Sequence, residues 1–239
     1  ASINLADDPE LLKLVANAGF NRVFVGIESP DEESLIGCDK KLNLERDLIE
    51  SVREIQSAGI EVTAGFIVGF DQDTTAVFQN QVDFIQRSGI MTAMVGLLNA
   101  PSRTRLYQRL KREGRIINTY GGDNTNYSMN FVPKMNKEAL LSGYQAILTG
   151  IYSSRAYYYR LKGFLKEFTP VTKFRRRLTF ESFLALFRSM IYIGILGCGR
   201  TYYWRLILWS LVRRPQLFPL AVTHSIYGYH FRKVFRIDT

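Results

Sequence analysis

The sequence predicts an α/β fold: parallel strands in the first half of its 239 residues, then a helical, basic, aromatic-rich region. Three observations carry this. Up to Gly114, short apolar runs alternate with longer amphipathic segments, the spacing that joins parallel strands through crossover helices. "AGF", "AGI" and "SGI" each precede an apolar run and mark a helix-to-strand turn. Charge also divides the chain. Residues 1–150 hold 15 Lys+Arg against 19 Asp+Glu, and residues 151–239 hold 16 against 3. The expected division is 1–118 for the α/β part and 119–239 for the helical part.

The elements follow in order. "SINLA" reads as a short strand. "DDPELLKLVANAG" reads as a helix, with Asp7 or Asp8 as cap, Pro9 in the first turn and Gly19 as its stop. "RVFVGIES" is a buried strand. A helix over about 44–58 presents Leu48, Val52 and Ile55 on one face and stops at Gly59. "IEVTAGFIVGF" is the next strand, and "DTTAVFQNQVDFIQRSG" a helix capped by Asp73 or Thr74. "MTAMVGLLNA" and "TRLYQRLKREG" supply a further strand and helix. Four strands are too few for an eight-stranded barrel. "YGGDNTNYSMNFVPKM" reads as polar loop, and Asn136 caps the helix that opens the C-terminal region.

Composition narrows the class. Two cysteines, Cys38 and Cys198, make no disulfide framework and point to a reducing, cytosolic setting. Cys38 reads as an incidental loop thiol and Cys198 as core. His224 and His230 lack metal-ligand spacing. The longest uncharged apolar run, Ser189 to Gly199, is about half of what a membrane span needs, which disfavours a transporter. The opening lacks an initiator methionine, a basic n-region and an apolar h-region, and it starts on a strand-like segment. The expectation is therefore the C-terminal part of something longer.

Parallel α/β folds place ligands at the carboxyl ends of their strands. The candidates are Asn4 with Asp7 and Asp8, Glu28 with Ser29, Gly69 with Asp71 and Asp73, and Asn99 with Pro101 and Thr104. Capping or turn formation would account for most of these. Glu28 directly follows an apolar run, where burying a carboxylate is costly without a partner or ligand. Gly65 and Gly69 stand four apart in a strand, which would admit a flat ligand against bare main chain, or equally a bulge or a tight helix contact.

"RVFVGIESPDEESL", "GIEVTAGFIVGFDQDT" and "GLLNAPSRTRLYQRLKREGR", in that order, resemble the later barrel strands of radical SAM enzymes, in particular the class with an N-terminal cobalamin-binding domain. The stretch from "NTNYSMNF" onward resembles the C-terminal region of one subgroup. The likeness covers essentially the whole chain. It implies a partial (β/α)6 barrel with S-adenosylmethionine across the strand ends. Gly65, Ile67 and Gly69 match the family's G-x-I-x-G-x-x-E, which backs the adenine; Gln72 stands where Glu would, leaving Asp71 as the candidate in its place. By the same resemblance Glu28 and Ser29 reach the ribose or aminoacyl part, Asn4 belongs to the third strand, and Asn99 to Pro101 to the sixth. "PSRT" departs from the family's commoner Pro-Gly-Thr.

The implied activity is reductive cleavage of S-adenosylmethionine to a 5′-deoxyadenosyl radical that attacks an unactivated carbon, with methylcobalamin as methyl donor. This chain lacks the family's CxxxCxxC, and two cysteines cannot hold a 4Fe–4S cluster, which takes three or four thiolates. The cluster and the cobalamin domain are expected upstream, in a missing N-terminal part that becomes a partner of these residues. The rival expectation is a non-catalytic fragment or interaction module.

The tail interleaves Arg with Tyr and Trp, as in "SSRAYYYRLK", "KFRRRL" and "CGRTYYWRLILW". Three readings stand: packed amphipathic helices with snorkelling cations, peripheral contact with the inner membrane surface, or nucleic-acid binding. The long apolar faces favour the first two over nucleic acid, and a small-molecule or lipid-like substrate is expected from the resemblance.

Overall fold

The computed structural model describes residues 1–37, 40–44, 46–119, 128–170 and 179–238. Its centre is a parallel sheet of three strands in the order β1 (Arg22–Glu28), β2 (Glu61–Val68) and β3 (Thr92–Leu97). Helices α1 (Pro9–Asn17), α2 (Glu32–Gly37), α3 (Leu48–Ser57), α4 (Ala76–Ser88) and α5 (Arg105–Arg112) alternate with them. The helical region follows as α6 (Lys137–Tyr152), α7 (Ser154–Glu167), α8 (Phe180–Tyr192), α9 (Arg200–Arg213) and α10 (Phe218–Phe235).

Local chemistry sets most boundaries. Asp8 accepts from the Leu11 amide and Pro9 opens α1. Asp47, Thr104 and Asn136 cap α3, α5 and α6 in the same way. Gly19, Gly59 and Gly89, the turn glycines before the apolar runs, all take positive φ, where a side chain would be strained.

Three expectations are corrected. Residues 3–7 form a 3-10 helix, not a strand, so Asn4 ends no strand and stands exposed. Three apolar-polar alternations are too short to fix a period of two, and burial of Ile3 is satisfied by a single tight turn. The described sheet accordingly has three strands rather than four. Asp73 does not cap α4: its Oδ2 accepts from the amides of Gly69 and Phe70 at 2.7 and 3.1 Å, and Thr75 precedes the helix. Cys198 is exposed rather than core, in the turn between α8 and α9. Cys38 and most of the "YGGDNTNYS" loop lie outside the described residues.

Alternation gives the sheet two unlike faces. Val25, Ile27, Val62, Ala64, Phe66, Val68, Ala93 and Val95 are buried in one core that also takes in Leu140, Ile147, Ile151, Leu161 and Leu206. Apolar packing therefore runs continuously from the sheet into the helical region. The other face carries Gly26, Gly65 and Met94 in register across the three strands, with Ile67 beside Gly96 one step on. Phe24 and Met94 are half exposed there.

Two closures tie the helical region down. Tyr152 Oη donates to the Ala93 carbonyl at 2.8 Å and accepts from the Ala93 amide, which seals an edge of β3. At the amino end of β2, the buried Glu61 carboxylate lies 2.8 Å from Arg22 and 3.3 Å from His224 of α10.

Candidate active site

The carboxyl ends of β1 and β2 open on a cleft of about 640 Å³, lined among others by Glu28, Lys40, Ile67, Phe70, Asp71, Arg105 and Arg109. Its two walls come from the segment after β1 and from α5.

Glu28 takes φ 65°, and the register between β1 and β2 slips between Gly26 and Glu28. This bulge re-aims the last side chain of the strand. Its Oε1 meets Lys40 Nζ at 2.9 Å, with the carboxylate 17% exposed. A Cβ at Gly26 would lie 2.7 Å from that oxygen and 3.0 Å from the ammonium, so glycine there makes room for the ion pair. Ser29 is fully buried and its Oγ accepts from the Asp31 amide, so it shapes the turn beside the cleft.

The glycine pair of β2 divides its work. A Cβ at Gly65 would meet the Phe24 ring at 3.0 Å, so that position admits an aromatic edge from the neighbouring strand. Gly69 has φ 106° and closes on Met129 and Leu140. It starts a loop that Asp73 gathers from within, and Ser34 Oγ donates to Asp73 at 2.6 Å. Burial pushes the Asp73 carboxyl above its ordinary range, against the pull of Ser34 and the two amides.

Asp71 is engaged on both oxygens. Arg115 donates to Oδ1 and Oδ2 at 2.7 and 3.1 Å, and Arg109 lies 2.9 Å away. Hydrogen bonding from Arg115, reinforced by both positive charges, holds the Asp71 carboxyl below the usual range despite its burial. Its visible role is to position Arg109 at the cleft. Asn99 is likewise committed: its Oδ1 accepts from the Asn130 amide, and its amide group donates to the carbonyls of Leu97 and Ser128. Pro101 is exposed and its carbonyl accepts from Thr104 Oγ1.

Of the residues that the resemblance assigns to the cofactor site, Glu28, Ile67 and Asp71 come together in the cleft wall. Ser29, Gly65, Gly69, Asn99 and Pro101 shape the surroundings, and Asn4 is elsewhere. The sequence reading missed Lys40, Arg105 and Arg109. A signal existed for the arginines, since "TRLYQR" sets them four apart on one helical face just after a cap.

Comparison with known proteins now adds a family. Residues 104–238 match the model of a domain of unknown function, DUF4070. The chain belongs to the DUF4070 family. An uncharacterized methyltransferase of Synechocystis sp. is 33% identical over 97% of this chain and 44% of its own length. The hopanoid C-2 methylase of Rhodopseudomonas palustris is 32% identical over 96% of the chain and 44% of its length. A bacteriochlorophyllide d C-12(1)-methyltransferase of Chlorobaculum tepidum is 26% identical over 77% of the chain and 41% of its length. This DUF4070 chain thus spans less than half of each of these relatives, and the expected likeness to part of a longer methyl-transferring enzyme is borne out.

Proposed function

We propose that this chain is the C-terminal portion of a radical SAM methyltransferase whose cleft beside Glu28 holds S-adenosylmethionine. The observation that carries it is the mixed charge at the strand ends: the Glu28–Lys40 pair on one wall and Arg105 with Arg109 on the other. A zwitterionic aminoacyl group needs both signs within a few ångströms, and a cleft of about 640 Å³ is within the usual size of a cofactor site. The residues present fit the group.

In this reading Glu28 pairs with the cofactor's ammonium or ribose hydroxyls, and Arg105 and Arg109 with its carboxylate. Lys40 holds the Glu28 carboxylate in place until the ligand arrives. Ile67 and Phe70 supply the apolar wall that keeps water from the reacting centre. Bound there, S-adenosylmethionine would supply the radical or methyl chemistry. Among the described residues there is no group of three or more His, Cys, Asp or Glu suited to a metal. A lipid-like substrate is the reading for the whole protein, supported by the hopanoid methylase among the relatives.

The test is equilibrium binding of S-adenosylmethionine to the chain by calorimetry. Glu28→Gln and Lys40→Met should each weaken it about tenfold, the loss expected for a charged hydrogen bond. If wild type and both variants bind equally, or none binds, the cleft is not the cofactor site and the chain is better read as a non-catalytic module.

A further inference from the structure

Helix α8 turns a core-like face outward. Phe180, Phe183, Leu184 and Phe187 recur at the spacing of one helical face, yet they are 83%, 57%, 37% and 60% exposed. The helix cannot simply roll to hide them. Leu186 and Met190 already pack on Ile193, Tyr203, Ile207 and Val222, and Ser189 Oγ lies 2.8 Å from the Tyr203 hydroxyl. Beyond α8 the chain bends, and Trp204 Nε1 donates to the Gly194 carbonyl at 2.9 Å, which pins the bend. Ile195 and Leu196 stand out from it, 59% and 69% exposed. A run of large apolar side chains this long on the surface marks an interaction site.

Charge indicates what covers it. From residue 179 to 238 there are eight Lys+Arg and only two acids, Glu181 and Asp238. Arg188 of α8, next to Phe187, and Arg200 at the head of α9, four residues after Leu196, are exposed. Among the described residues no helix is long and apolar enough to cross a membrane. Aromatic and aliphatic side chains bordered by arginine, on a helix too short to span, suit the boundary between lipid headgroups and acyl chains. A second copy of the chain would bring like charges together, which disfavours self-association through this face.

We propose that α8 and the turn at 193–196 dock the chain on an anionic lipid surface. The phenylalanines and Ile195–Leu196 enter the headgroup–acyl boundary, and Arg188 and Arg200 meet lipid phosphates. This stands on the helical region alone and is independent of cofactor binding at the cleft.

The experiment is co-sedimentation of the 239-residue chain with phosphatidylcholine vesicles, with and without about 30% phosphatidylglycerol. Quenching of Trp204 and Trp209, the chain's two tryptophans, by brominated lipid reports depth. Wild type should bind the anionic vesicles, lose most binding at high salt, and show quenching. The double variant F183D/F187D should bind about tenfold or more weakly, and Arg188→Glu about fivefold more weakly. If circular dichroism shows that the double variant fails to fold, Phe180→Ser, at the exposed first residue of α8, should still weaken binding. Three results would overturn the proposal: no binding of wild type at low salt, binding unchanged in F183D/F187D or in a folded Phe180→Ser, or a wild-type dimer that F183D/F187D dissociates with no vesicle binding by either.

Discussion

The two ends of the same short sheet use ion pairs in opposite ways. At the amino end Glu61 is 4% exposed and lies between Arg22 and His224 under α10. Burial pushes its carboxyl up, and the adjoining His224 and Arg22 bring it below the ordinary range. At the carboxyl end the Glu28 side chain is 17% exposed, against 5% for Glu61, and meets Lys40 at the mouth of a cleft. A sealed carboxylate is costly to leave unpaired, because water cannot reach it to take the place of a lost partner. A pair that still touches solvent can exchange partners at little cost. The difference assigns locking to one end and ligand exchange to the other.

The largest effect should come from the sealed end. Glu61→Ala takes the carboxylate from the fully buried His224 and from the partly exposed Arg22 head, and should lower unfolding free energy by about 2–3 kcal/mol in a urea titration. A loss below about 1 kcal/mol would show that this pair is no lock. Next comes the backbone at the cleft: Gly69→Ala forces a side chain onto φ 106° and against Met129, and should cost about 1–2 kcal/mol. Glu28→Gln should change stability by no more than about 0.5 kcal/mol while still weakening cofactor binding. Equal stability losses at Glu28 and Glu61 would erase the contrast between the ends.

The smallest effect is in acid. Asp71 is held below the usual carboxyl range, so its pairing with Arg115 contributes fully above the unfolded-state value near 4 and is lost as pH falls through the lowered value. Wild type should therefore exceed Asp71→Asn in stability at neutral pH, and the two should converge as the solution becomes strongly acidic. A constant gap between the two melting curves across that range would rule out the linkage.

Much of this was legible in the residues. The helix caps at Asp8 and Asn136 and the turn glycines need only local geometry, and they stand where the sequence puts them. Buried strands could be read from unbroken apolar runs. What failed depends on neighbours far along the chain. Asp73 looks like a cap until Ser34 and the Gly69 amide claim it. Cys198 sits among apolar residues in sequence, but Ile195 and Leu196 beside it face outward too. At the cleft, Glu28 could be singled out because a carboxylate ending an apolar strand is anomalous, whereas Lys40 is an ordinary loop lysine until the bulge aims Glu28 at it. His224 carried no motif, and only the packing of α10 under β2 gives it a partner.

That packing has a consequence for biosynthesis. Tyr157 donates to the His224 carbonyl at 2.9 Å, and Gly228 lets the same tyrosine ring press against α10, so the helix is fitted tightly beneath the strand. The floor of the sheet is laid by residues that leave the ribosome long after the strands they support. Until they emerge, Glu61 has Arg22 without His224, and a chain released before α10 is made would have an unfinished foundation.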